Sequence, residues 1–272
     1  HDDAIYLNPD LFKRVKAVYD QKATLKLDPE SMRLIKYYYD NFVMKGANLP
    51  EDKKENLKEL NKEEASLSAK FNNQLLNAAK AGAVKVTDKK DLAGLSDGDI
   101  AAIADSTGNS WTIPLQNTTQ QPLLASLTER QMRNRLYEAS WNRAERGDSN
   151  DTRKVISQLA NIRAEQAKLL GFPNYAEWKL QDQMAKNATN VMDFLGKLAP
   201  AATGKAWKEA HALQGVIDKT GEHVELTAFD WDYYAEKLRK QKYDLDESQI
   251  KPYFELNKVL EDGVFYAANQ LY

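Results

Sequence analysis

A mainly α fold, a multi-helix body, is predicted by two observations. Apolar residues recur at three- and four-residue spacing over most of the chain, and Asn-Pro and Asp-Pro pairs open the first periodic runs. A third observation, a short alternation of apolar and polar residues near residues 83–115, predicts a small β element beside that body.

The elements follow in order. Asn8-Pro9 is a helix start, because Asn caps the first free N–H groups and Pro at the first helical position has none to lose. Leu11, Val15, Val18 and Tyr19 then recur at helical spacing. Asp28-Pro29 repeats the signal, with Leu34, Ile35, Tyr38, Phe42 and Val43 as the stripe and Gly46 as the cap that ends it. Pro50 opens a helix to about Lys80, roughly 45 Å long at 1.5 Å per residue. Its charges Lys53, Lys54, Glu59, Lys62, Glu63 and Glu64 form an expected solvated face. Residues 83–87 and 110–115 alternate as strands, with a loop and a short helix through Ala104 between them. Helices are expected again from Thr128 to Ala144, with Met132, Leu136, Tyr137 and Trp141 inward, and from Asn150 to Leu170. Further helices cover Tyr175–Met184, Val191 to about Val216, Trp231–Arg239 and Lys258–Tyr272. No repeat and no Gly/Ser-rich linker is present, so residues 1–272 are expected to form a single helical piece with a β insert at about 83–116.

Composition narrows the chemistry. Among 272 residues, 38 Lys and Arg against 40 Asp and Glu leave a net charge of −2, which gives no electrostatic case for nucleic acid or an anionic membrane. At 42% hydrophobic and 29% charged the chain can build a core. With no Cys, disulfides, thiol nucleophiles and Cys-ligated metals are excluded. The absence of Cys fits a reducing cytoplasm, although an exported protein without disulfides, in the periplasm for example, has the same composition. No apolar run long enough to cross a membrane as a helix occurs.

Catalytic patterns fail one by one. A helical zinc peptidase site needs His-Glu-x-x-His, because that spacing sets both imidazoles on one helix face. Neither His211 nor His223 has such neighbours, and the third histidine is His1. His211 is expected to pack on a helix and His223 to sit in a loop. No Gly-x-Ser-x-Gly elbow and no phosphate-binding Gly-rich loop is present. Asp148–Thr152 begins like a calcium loop, but Arg153 and Leu159 stand where Gly and Glu are required. Asp148 or Asn150 as helix caps explain it better. Asp230-Trp231-Asp232 is the most suggestive carboxylate pair, and an N-cap with a first-turn charge is its simpler reading. The aromatic clusters Tyr37-Tyr38-Tyr39, Tyr233-Tyr234 and Tyr253-Phe254 suit either a peptide channel or core with one wet edge. Asn117, Asn150 and Asn187 head glycosylation sequons, which carry weight only in a secretory context. The residues by themselves thus expose no catalytic centre.

A set of longer words adds a resemblance. Gln116–Pro122 leads into Leu136–Glu145, Asn150–Arg153, Ile162-Arg163-Ala164, Leu169–Ala176 and Asp182–Lys186. Phe229–Glu236, Leu245-Asp246-Glu247 and Lys251–Asn257 follow, and Leu27-Asp28, Gly46–Leu49 and Asp91–Leu95 precede. In this order, across essentially the whole chain, they resemble the thimet oligopeptidase family of zinc metallopeptidases, and within it the bacterial peptidyl-dipeptidases. That resemblance implies a helical, channel-forming fold and one zinc, held by the two His of His-Glu-x-x-His and a downstream Glu. It implies removal of C-terminal dipeptides from short peptides, with broad oligopeptidase activity as the near variant. None of the family's zinc or catalytic residues has a counterpart at any position here, so no catalytic and no metal residue is assigned. The expectation is an internal fragment, inactive alone, that supplies scaffold and channel wall to a catalytic C-terminal half. Tyr37, Tyr233 and Tyr253 are candidates to face substrate, and Val264, Phe265 and Leu271 are expected to be partly exposed. A standalone helical interaction module is the alternative.

Overall fold

The computed structural model describes residues 2–221, 223–244 and 247–272. His1, and Leu245 and Asp246 of the family words, lie outside the described residues. The chain is mainly α. Four helices come first: α1 (Asp2–Tyr6), α2 (Pro9–Asp20), α3 (Pro29–Met44) and α4 (Glu51–Ala81). Strand β1 (Val84–Val86), α5 (Asp97–Ile103) and strand β2 (Trp111–Ile113) follow. Next are α6 (Asn117–Ser126), α7 (Arg130–Trp141), α8 (Arg153–Leu169), α9 (Tyr175–Lys179) and α10 (Ala188–Thr220). The last are α11 (Trp231–Tyr243), α12 (Glu247–Ile250), α13 (Leu256–Lys258), a π-helical stretch at Val259–Phe265, and α14 (Tyr266–Leu271). The chain divides into two compact units, residues 1–81 with 142–203, and residues 82–141 with 204–272.

In the first unit α4 lies along α8. Leu67, Val155, Leu159 and Ile162 form the seam, closed by Leu60 and Phe71. Gln74 Nε2 donates to the Ser149 carbonyl at 2.9 Å and ties the far end of α4 to the turn before α8. A second cluster joins α2 to α3 through Phe12, Phe42 and Ala47, with Tyr6, Val15 and Tyr39 around it. Both helix starts are as the sequence predicts: Asn8 accepts from the amides of Asp10 and Leu11, and Asp28 from that of Ser31. Gly46, at φ +96°, ends α3, and the Ala47 amide turns back to the Phe42 carbonyl at 2.9 Å.

In the second unit β1 and β2 pair antiparallel, with Val84 opposite Ile113 and Val86 opposite Trp111. Val86 and Ile113 are fully buried, as are Leu92, Leu127 and Leu136 around them. A separate cluster sets Leu213, Val216 and Ile217 of α10 against Tyr233 and Tyr234 of α11. α10 starts in the first unit, and every residue from Met192 to Glu209 is exposed. That stretch contains Gly196, Pro200 and Gly204. In a helix interior Gly costs about 1 kcal/mol and Pro about 3 kcal/mol relative to Ala, so local preference does not hold it helical.

Several expectations are corrected. On α2 the inward face is Phe12, Val15 and Tyr19, and Leu11 and Val18 are 40% and 46% exposed. On α3 Leu34 and Tyr38 are likewise exposed, because α2 covers only the arc that carries Tyr39, Phe42 and Val43. Lys54 and Glu64 leave the solvated face of α4: Lys54 is buried, and Glu64 is drawn to Arg163 at 2.8 Å. α7 starts after Glu129, since the Thr128 amide donates to the Ala93 carbonyl at 2.9 Å and is not free to enter a helix. Trp141, the last residue of α7, stacks on Tyr137 and points outward at 72% exposure. Asp148 accepts the Asn150 amide in a tight turn, and it is Asp151 that reaches the Arg153 amide at the start of α8. α9 stops at Lys179, short of Met184; Lys186 at φ +68° cannot continue a helix, and Asn187 caps α10 through the Asn190 amide. α11 runs on to Tyr243, where Asp244 closes it in a left-handed conformation at φ +47°.

One glycine is fixed by close approach. A Cβ at Gly94, where φ is +95°, falls 2.2 Å from the Ser126 carbonyl oxygen, a backbone atom that cannot swing aside. Gly108 has φ +69° and open space around it. Gly94→Ala is expected to cost roughly 2–4 kcal/mol through backbone strain plus overlap, and Gly108→Ala about 1–2 kcal/mol through strain alone. Urea unfolding of the two variants checks this order.

Candidate functional site

Among the described residues, no group of three or more His, Cys, Asp or Glu side chains comes together in a way that could hold a metal ion. His211 is exposed on α10 with its ring centroid 6.5 Å from that of Trp207, and His223 is exposed in the loop after that helix. Among the described residues, neither His211 nor His223 stands with the further donors that a zinc ion of the kind the family resemblance implies would need. No helix among the described residues is long and apolar enough to cross a membrane.

The densest polar site is built on Asp230, which is fully buried at the junction of a short 3-10 turn, Ala228–Asp230, and α11. Its Oδ1 accepts from Arg133 Nη2 at 2.8 Å. Its Oδ2 accepts from Arg130 Nη2 at 2.8 Å and from the Thr227 hydroxyl at 2.7 Å. Arg133 is 1% exposed and uses Nη1 to donate to the carbonyls of Leu127 and Thr128 at 2.9 and 3.0 Å. Its guanidinium also lies 4.1 Å from the Tyr233 ring, and that of Arg130 lies 4.9 Å from Phe229. One carboxylate thus fastens the α6–α7 link to the start of α11. Burial works to raise the Asp230 pKa, but the hydrogen bonds from Arg130, Thr227 and Arg133 outweigh it and hold the group ionised below the ordinary carboxylate value. With donors on both oxygens, Asp230 is a poor proton acceptor for a substrate. Its role is architectural, but not as the N-cap that Asp230-Trp231-Asp232 suggests: Asp230 makes no side-chain bond to the α11 amides, because its oxygens are taken by Arg130, Arg133 and Thr227, while Asp232 is exposed in the first turn of α11.

The first unit holds a second polar cluster. Gln166, fully buried on α8, donates to Asn61 and Glu64, both at 2.9 Å. Asn61 in turn donates to Asp3 at 2.7 Å, so α8, α4 and α1 share one chain of bonds. A cavity of about 210 Å³ opens beside it, lined by Lys45, Leu57, Asn61, Glu64, Trp178 and Lys179. Burial is the largest influence on Glu64 and raises its pKa, yet Arg163 and Gln166 reverse it and keep the carboxylate charged. Burial pushes the Lys179 ammonium down. Asp2 and Asp3 also line this cavity, and they and Glu64 accept from internal donors, Lys45, Asn61 and the Arg163–Gln166 pair respectively.

Of the three tyrosines singled out in the sequence, Tyr233 is 9% exposed and belongs to the core, which leaves its ring no face for a ligand. Tyr37 and Tyr253 are exposed, at 56% and 81%. Val264, Phe265 and Leu271 are exposed at 52%, 56% and 77%, the expected open surface near the end of the chain. The partners of Asp230 were not legible in the sequence: Arg130 precedes it by a hundred residues, and no spacing rule links them.

Removing one side of a buried ion pair strands the other, at a cost of about 3–5 kcal/mol. Arg133→Ala is therefore expected to destabilise by about that much, and Arg130→Ala by less, since that side chain is 36% exposed; chemical denaturation separates the two. A carboxylate whose folded pKa is depressed stabilises above its unfolded pKa and loses that effect as pH falls through the folded value. The stability gap between the parent and Asp230→Asn should therefore be flat above about pH 5 and shrink below about pH 4. A gap that widens on acidification contradicts the assignment.

The chain matches the family model described as peptidase family M3 over residues 123–272. It is 48% identical to the dipeptidyl carboxypeptidase of Escherichia coli and 49% identical to that of Salmonella typhimurium, over 98% of its own length in each case. It is 31% identical to a probable cytosolic oligopeptidase A of Arabidopsis thaliana, over 96% of this chain and 39% of that protein. The chain spans about 40% of the length of the two bacterial relatives. With a family match over more than half its residues, this chain belongs to peptidase family M3.

Proposed function

We propose that the chain is one part of a zinc metallopeptidase that releases dipeptides from the free C-terminus of short peptides. The observation that carries this reading is the gradient of identity: 48–49% to two dipeptidyl carboxypeptidases, against 31% and 27% to proteins named oligopeptidase A. That gradient favours dipeptide release over broad endopeptidase action. In this reading the metal and its ligands lie outside residues 1–272, and the polypeptide that carries them is the partner of this segment. The segment itself supplies scaffold and wall, consistent with carboxylates already saturated by internal donors at Asp230 and Glu64.

The test is activity of the native polypeptide on an N-blocked tetrapeptide with a free carboxyl end and on its C-terminally amidated twin. Release of the terminal dipeptide from the first only, abolished by a chelator and restored by zinc, is the expected result, with the 272-residue chain inactive in the same assay. Cleavage of both peptides, activity indifferent to the chelator, or turnover by the 272-residue chain overturns the reading.

A further inference from the structure

The side of α3 that α2 leaves open forms one wall of a cleft within the first unit. Arg33, Tyr37, Asn41 and Met44 recur there at three- and four-residue spacing, with Lys36 and Asp40 beside them. The facing wall is Gln181, Asp182 and Lys186, in the segment that follows α9. The space between them is about 390 Å³, inside the range of about 300–1,000 Å³ usual for small-molecule sites. Both walls are fixed. Trp178 Nε1 donates to the Met44 carbonyl at 2.8 Å and holds α9 against the end of α3. The amides of Gln183 and Lys186 donate to the carbonyls of Leu180 and Gln183, and Asn190 Nδ2 donates to the Ala185 carbonyl at 2.7 Å.

The charges lining the cleft are of both signs, and most are unspent. Lys36 and Asp40 answer each other at 2.5 Å along one face of α3. Arg33 and Lys186, on opposite walls, make no ion pair and no side-chain hydrogen bond among the described residues. Asp182 accepts one bond, from Gln183 Nε2 at 3.0 Å, and has no cation partner among the described residues. Apolar surface lies beside these charges: Tyr37 is more than half exposed, and Val43 and Met44 are half-buried. A simple anion here would face Asp182, and a simple cation would face Arg33 and Lys186. A ligand that carries a carboxylate and an ammonium together answers all three. We propose that this cleft binds a zwitterionic dipeptide, with its carboxylate taken by Arg33 and Lys186, its ammonium by Asp182 and an apolar side chain against Tyr37 and Met44. The match of charges comes from the cleft itself, whereas the choice of a dipeptide over a free amino acid rests on the proposed function, in which dipeptides are the product. Guanidinium is the side chain best shaped for a carboxylate, through two parallel N–H bonds.

The test is isothermal titration of the native polypeptide, treated with a chelator, with alanyl-phenylalanine, its N-acetyl form and its C-terminal amide. The variants are Arg33→Ala, Asp182→Asn and Lys186→Gly. Lys186 has φ +68°, a conformation glycine adopts freely, so Lys186→Gly removes the ammonium without straining the turn. The expected result is a saturable site for the free dipeptide that each variant weakens about tenfold, the loss of one charge-assisted hydrogen bond. Each capped dipeptide is expected to bind the parent about tenfold more weakly for the same reason. Isotherms that coincide for the parent and the three variants overturn the proposal, whether or not they show binding elsewhere. Capped dipeptides that bind as tightly as the free one overturn it as well. Free phenylalanine that binds the site as tightly as the dipeptide names an amino-acid site and overturns the dipeptide assignment. Peptidase activity of the same preparation before chelation separates the two ideas. An active sample whose binding ignores the three substitutions sinks only the cleft, and an inactive sample whose binding follows them sinks only the enzymatic reading.

Discussion

The second unit depends on one buried carboxylate. Asp230 holds Arg130 and Arg133 at 2.8 Å each, and Arg133 also grips the carbonyls of Leu127 and Thr128. The chain leaving α6, the start of α7 and the start of α11 are thereby fixed to one point. Charges taken this far from water are tolerated only when each is answered by partners of good geometry, and both Asp230 oxygens are answered. The aromatic neighbours Phe229 and Tyr233 shield the guanidinium faces. This explains why carboxylate, arginine and aromatic residues gather here: both carboxylate oxygens and both terminal nitrogens of Arg133 are spent within the network, and only its buried Nε lacks a hydrogen-bond partner.

The helix starts were legible because they are local. A cap needs only an Asn or Asp and a Pro next to it, and both such pairs do what their spacing predicts. The two strands were legible for the same reason, since alternation is local too. Which side of a helix is buried is a different kind of fact, because it depends on a partner far away in sequence. Leu34, Tyr38 and Trp141 are apolar and periodic, yet they face outward, since the covering elements occupy another arc. Glu64 looks like surface charge and is drawn to Arg163, a partner that its own segment does not reveal, while Lys54 is buried with its ammonium 3.6 Å from Glu51 of the same helix. The Asp230 network illustrates the same limit: local sequence reads the carboxylate as a helix cap, whereas its oxygens go to Thr227 and to two arginines about a hundred residues earlier.

Function was legible only as kinship. The zinc and nucleophile motifs sought in the sequence do not occur, and the family words from Gln116 to Asn257 carried the assignment to the M3 peptidases. The structure adds physical content to that kinship. The carboxylates of Asp230 and Glu64 are taken up by internal donors, and α10 and residues 252–272 carry much of the exposed large apolar surface.

The account is tested most directly by the intact mass of the native protein, with peptide mapping of whatever sequence adjoins Tyr272. A mass well above 30.9 kDa and a peptide containing His-Glu-x-x-His is the predicted result. A native mass equal to that of this chain would contradict it, leaving a helical module related to the M3 peptidases by descent and without their chemistry.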